Sequence, residues 1–138
     1  MTSLRKENEP KRVQCIKQFD EKTTWYRAKA ICARHKSKLL EINSPHENGE
    51  VLQNIKSDFL LSHSDFGVDK IWIGGNDLAT NGKWVWTSKG RRIGPYVQWK
   101  DGKPAGSGHC LAIDVATKRW VNTDCETKTE FICEMGER

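Results

Sequence analysis

The 138-residue sequence predicts an α+β domain, with two helices packed on small, mostly antiparallel sheets beside a long loop region, stapled by disulfides. Three observations carry that class. Helical periodicity is confined to the first sixty residues. Short apolar runs of strand type follow from residue 71, separated by loops rich in Gly, Pro and charge. Five cysteines, Cys15, Cys32, Cys110, Cys125 and Cys133, lie in a chain of one-domain length.

Residues 1–12 are polar and mixed in charge and read as a flexible tail, with the domain spanning 13–135. Thr23 and Thr24 are N-cap candidates for a helix starting at Trp25, whose apolar positions Trp25, Ala28 and Cys32 recur at helical spacing. This helix ends near His35, before the apolar segment Leu39-Leu40-Glu41-Ile42. Ser44, Pro45 and Glu47 form a capping box with the favoured first-turn proline. Val51, Leu52, Ile55 and Phe59 then share a face, so a second helix is predicted over about 45–60. After a polar loop at 62–69, Ile71-Trp72-Ile73-Gly74 reads as a buried strand and Lys83–Thr87 as the next, with Gly82 at the turn. Residues 88–109 are mostly loop, and strands are predicted at Cys110–Val115, Arg119–Val121 and Phe131–Glu134.

Composition narrows the function classes. No apolar run approaches the roughly 20 residues of a membrane span. The net charge is +5 and the pI near 9.0. That balance suits anionic partners, or is ordinary solubility charge. No Cys-x-x-Cys pair is present, which argues against a zinc ribbon or a redox motif. Disulfides imply an oxidising compartment. Residues 1–6 nevertheless lack the apolar core of a leader peptide. Either a native leader has been replaced by an initiator Met, the favoured reading, or the cysteines stay reduced. The histidines, His35, His46, His63 and His109, show no metal-ligand spacing, so no metal site is expected. Ser62-His63-Ser64-Asp65 holds the residue types of a catalytic triad, but adjacent positions cannot reach one another in triad geometry. The sequence is therefore not read as an enzyme.

From about Val13 to Glu134 the chain resembles a C-type lectin-like domain. The pieces are Thr24-Trp25…Ala28…Cys32, Leu39…Ile42-Asn43-Ser44…Glu47, Trp72-Ile73-Gly74, Gly82-Lys83-Trp84…Trp86, Trp99…Pro104, Cys110, Trp120…Cys125 and Phe131-Ile132-Cys133-Glu134. Each is weak alone; in this order they are specific. Trp72 to Ala79 looks most like arthropod members. The resemblance implies bonds Cys32–Cys133 and Cys110–Cys125, a choice among fifteen that spacing alone cannot make. In the chain-entropy model the first, closing about 100 residues, contributes roughly 4.7 kcal/mol and the second roughly 3 kcal/mol. Cys15 matches a position that pairs upstream in longer members, and no upstream cysteine is present. It is left as an interchain disulfide candidate, giving a covalent dimer, or as a thiol without its partner.

Sugar-binding members hold calcium with a Glu-Pro-Asn or Gln-Pro-Asp triplet and with Asn-Asp after a strand Trp. Calcium takes about 6–8 oxygen ligands. Here the triplet is Lys103-Pro104-Ala105, and Val121-Asn122 follows Trp120. His109 stands where an acid is expected before the long-loop cysteine, and Asn81 where an accessory acid often lies. Asp77 keeps its acid and Asp124 is nearby, but two scattered carboxylates do not make a calcium cage. The resemblance thus implies a degenerate sugar/calcium site, with no calcium expected there and with Pro104 preceded by a cis bond. Lys89, Arg91 and Arg92 form a basic cluster, with Lys100, Lys103, Lys118 and Arg119 as further candidate contacts for a polyanion or glycan and Trp99 as a stacking face. The expected function is a secreted, extracellular, calcium-independent recognition domain for a glycan or anionic polysaccharide, with an innate-immune role by resemblance only. The alternative is a protein-interaction subunit, disulfide-linked through Cys15, whose partner chain carries the ligand site. No nucleic-acid module is present.

Overall fold

The computed structural model describes residues 15–55, 70–104 and 107–135. The tail at 1–12, Val13, the second helix beyond 55, the loop at 62–69 and Ala105 lie outside the described residues.

The element order is β1 (Ile16–Thr23), α1 (Trp25–Arg34), β2 (Ser37–Leu39), α2 (Pro45–Asn54), β3 (Lys70–Asn76), β4 (Val85–Trp86), a 3₁₀ turn (Lys100–Gly102), β5 (Cys110–Asp114), β6 (Arg119–Thr123) and β7 (Thr129–Met135). Thr24 caps α1, its Oγ1 accepting from the Arg27 N–H at 3.2 Å. Ser44 Oγ accepts from the Glu47 N–H at 3.1 Å, and Glu47 Oε1 accepts from the Asn43 N–H at 2.7 Å. That is a capping box whose return bond falls one residue before the cap. α2 is shorter than the 45–60 expected from sequence. Ile55 takes extended backbone (φ −80°, ψ 108°) and ends it.

The strands run in the order β1-β7-β3-β5-β6, with β2 on β7 and β4 on β3. All pairs are antiparallel except β3 with β7. β1 was not anticipated. It pairs with β7 from Ile16 opposite Glu134 to Thr23 opposite Thr129, with an irregularity between Phe19 and Thr23 that breaks its alternation.

Both faces of the sheet are covered, so period two sorts side chains into two cores rather than into core and solvent. Trp72, Ala112, Phe131 and Cys133 face α1, where they meet Trp25, Ala28 and Ile31. Ile71, Ile73, Leu111, Ile113 and Ile132 face the other way, into a core with Leu40, Ile42 and Val51. Four tryptophans complete that second core. Trp84 and Trp99 meet edge to face at 5.3 Å, Trp99 and Trp120 at 6.1 Å, and Trp86 and Trp120 at 5.6 Å. Through them the loop region between β4 and the 3₁₀ turn packs onto the sheet. Disulfides join Cys32 to Cys133 and Cys110 to Cys125. The first ties α1 to β7; the second ties the start of β5 to the segment before β7. The cis proline is Pro95, after Gly94, and not Pro104 as the resemblance implied.

Candidate functional site

A cleft of about 200 Å³ opens where the end of β3, the turn after it and the segment before β5 meet. Its lining includes Asp77, Asn81, Trp84, Pro104, His109 and Asn122. Asp77 lies one residue beyond β3 and is 4% exposed. Both carboxylate oxygens are engaged: Oδ2 accepts from the Gly82 N–H at 2.8 Å, and Oδ1 lies 2.8 Å from His109 Nδ1. The Asp77 N–H in turn donates to the His109 carbonyl at 3.1 Å. An acceptor-only carboxylate at Nδ1 places the imidazole proton there. Asn122 Nδ2 donates to the Gly108 and Ser107 carbonyls at 3.2 and 3.3 Å. Gly108 has φ 122°, and a Cβ there would stand 2.7 Å from the Thr123 backbone, so only glycine lets the two strands of this wall close.

The structure brings Asp77, Asn81, Pro104, His109 and Asn122 together at the cleft. Lys103 is exposed one residue before Pro104, Val121 is half-buried against the α1-side core, and Ala105 lies outside the described residues. Asp124 is exposed and caps a turn, accepting from the Glu126 N–H at 2.9 Å. The stacking role expected of Trp99 is corrected. Its ring is 8% exposed and edge-packed by Trp84 and Trp120, which leaves no open face for a sugar. The basic residues divide between different partners. Arg91 Nη2 lies 3.6 Å from Glu41, Lys100 Nζ 3.7 Å from Asp114, and Arg119 Nη1 donates to Gln98 at 3.2 Å. Lys89, Arg92 and Lys118 are exposed.

Sequence reasoning missed a second polar cluster. Glu41 and Glu134 are 6% and 8% exposed inside apolar segments, and Glu134 Oε1 accepts from the Glu41 N–H at 3.0 Å. Glu41 also accepts from Ser88 Oγ at 2.7 Å and pairs with Lys38 at 3.6 Å. Burial pushes the Glu134 carboxyl up to about 7, opposed by the Glu41 N–H bond and Lys38. The visible signal was a carboxylate standing within each of two strand-like apolar runs.

Two helices against a doubly covered, disulfide-tied sheet, with a loop-built cleft at one end, define a C-type lectin-like domain. The Lectin C-type domain model matches residues 21–135, and the chain belongs to this family. It is 34% identical over 127 residues to a C-type lectin of Micrurus corallinus, covering 86% of this chain and 75% of the relative. It is 30% identical over 127 residues to Salivary C-type lectin 2 of Aedes albopictus, covering 86% and 82%. Among solved structures it resembles human lithostathine with a TM-score of 0.75 and 25% identity, over 94% of this chain and 88% of that one. Among the described residues no helix is long and apolar enough to cross a membrane.

Proposed function

We propose that the chain is a secreted recognition domain that binds a glycan at the Asp77–Asn122 cleft without calcium, as a binding protein and not an enzyme. The observation that carries this reading is the double engagement of Asp77. A calcium ion needs several outward-facing oxygens, and here one carboxylate is already bonded by an imidazole and a backbone N–H. Lys103 adds a cation beside the cleft, and Asn122 turns its amide N–H groups toward the loop carbonyls. Among the described residues no group of three His, Cys, Asp or Glu side chains is placed to hold a metal. These features support a site that works without calcium. What the cleft offers a sugar is a ring of polar groups (Asn81, Ser107, Asn122, His109) beside the edge of Trp84. Two disulfides and the salivary relative support secretion. Thermal unfolding with added calcium and then with chelator tests the metal half, because a ligand that binds only the folded state raises its stability. No shift is expected; a calcium-dependent rise would overturn the reading of Asp77.

A second reading rests on Cys15, which is exposed just before the edge strand β1. As a subunit disulfide-linked through this residue, the chain would run as a dimer on a non-reducing gel. Cys15→Ser would abolish the dimer. A monomer from natively secreted protein would rule this reading out.

A further inference from the structure

We propose that Arg34 and Lys36 at the end of α1, Lys38 on β2, and Lys89 and Arg91 in the turn after β4 form one continuous anion-binding band whose ligand is a linear sulfated polysaccharide. The band shares no residue with the lining of the cleft and does not rest on its reading. Its centre is Glu41 Oε1, which Lys38 Nζ and Arg91 Nη2 each approach to 3.6 Å, so the two cations stand no more than about 7 Å apart. The turn is pinned to the same carboxylate a second time, through Ser88 Oγ at 2.7 Å. Lys89 sits between those two anchors and is exposed, as is the Arg91 side chain at 59%. One carboxylate thus faces two cations, with a third, Lys89, exposed in the same turn. Glu134, the other acid beside it, keeps its proton up to about pH 7 and so offsets little of that charge in acidic surroundings.

The band continues toward α1. Lys36 precedes Lys38 by two residues, a rise of roughly 7 Å along extended chain. It occupies the left-handed region at φ 58°, where the chain turns out of the helix. Arg34 fills the last turn of α1, which contains no acidic residue. Both side chains are exposed, and among the described residues neither has a carboxylate partner. With no such partner among the described residues, their charge stays open to an outside anion.

The chemistry of the band selects its ligand. Among the described residues the exposed large apolar ones are Tyr26, Leu78 and Val97, none of which belongs to it. Unpaired nucleic acid needs aromatic faces for its bases, and a membrane surface needs an apolar wedge. A chain of sulfated sugars needs only spaced cations and polar neighbours, which the band supplies.

The test is retention of the full chain on immobilised heparin in a salt gradient. The variants are Arg34→Gln with Lys36→Asn, Lys89→Gln with Arg91→Gln, and Lys118→Gln with Arg119→Gln. Asn is chosen at 36 because it tolerates a positive φ. Thermal unfolding confirms that each variant is folded. Wild type should be retained at about 0.15 M salt, and each band variant should elute earlier, with the salt slope of affinity reduced by roughly 2. The Lys118/Arg119 variant tests the other basic residues that the sequence offered as polyanion contacts; it should elute with wild type, and a displacement equal to that of the band variants would overturn the band. Absence of retention at low salt, an unchanged Arg34/Lys36 variant, or equal displacement by a single-stranded oligonucleotide of matched charge would each overturn the proposal. Failure of the cleft reading would leave this retention untouched.

Discussion

Glu134→Gln should stabilise the protein in a pH-dependent way. Glu134 sits on β7 at 8% exposure beside the equally buried Glu41. Its carboxyl is raised from an ordinary 4.5 to about 7, first by burial, with Glu41 and Glu47 adding to the rise and Lys38 opposing it. Between those two values the folded chain holds a proton that the unfolded chain releases. Stability from this group is therefore greatest below pH 4.5, falls as pH rises through 7, and is flat above. The shift corresponds to about 3 kcal/mol in total, at about 1.4 kcal/mol per unit. Gln keeps the neutral shape, and its Oε1 can still accept from the Glu41 N–H. The variant should thus match wild type at pH 4.5, apart from a constant offset, and exceed it at pH 8 by up to about 3 kcal/mol. At roughly 3–4 °C per kcal/mol for a domain of this size, that is about 10 °C in Tm. The assay is urea or thermal unfolding of both proteins across pH 4.5–8.5 with disulfides oxidised. Their difference cancels the titrating groups that do not interact with Glu134. A difference that is the same at pH 5 and pH 8 would refute the assignment.

Three further outcomes follow from the packing. Gly108→Ala places a Cβ 2.7 Å from the Thr123 backbone at φ 122°, so denaturant unfolding should show a loss of at least 1–3 kcal/mol, roughly the cost of a strained backbone. Trp120→Ala removes the ring shared by Trp86, Trp99 and Tyr96, and should cost about 3–5 kcal/mol and raise proteolysis of the 88–104 loop. Replacing Cys110 and Cys125 by Ala should lower stability by roughly 3 kcal/mol and speed amide exchange around Gly108, with secondary structure by circular dichroism unchanged.

Both helices were legible in sequence because their signals are local. Thr24, and Ser44 with Pro45 and Glu47, satisfy backbone groups within one turn, and that chemistry survives any tertiary context. β1 was not legible, because its irregularity past Phe19 erases the alternation that announces a strand. β2 is three residues long and owes its state to pairing with β7. The tryptophans could be counted but not placed. With both sheet faces covered, Trp99 reads alike whether it lines a cleft or fills a core, and it fills a core. The cleft residues were recognised through family resemblance, yet the bond from His109 to Asp77 joins positions that no spacing rule connects. The same holds for Lys38 and Arg91, which meet only because both turn toward Glu41. Sequence therefore displayed the charges but not which of them share a surface.

The central claim is recognition of a glycan at a cleft whose acid is held by a histidine rather than offered to calcium. A glycan array probed with the full chain, once in millimolar calcium and once in chelator, tests it most directly. The account predicts the same bound glycans with the same intensities in both conditions, and their loss in an Asn122→Ala variant. Binding that appears only with calcium, or none in either condition, would contradict it.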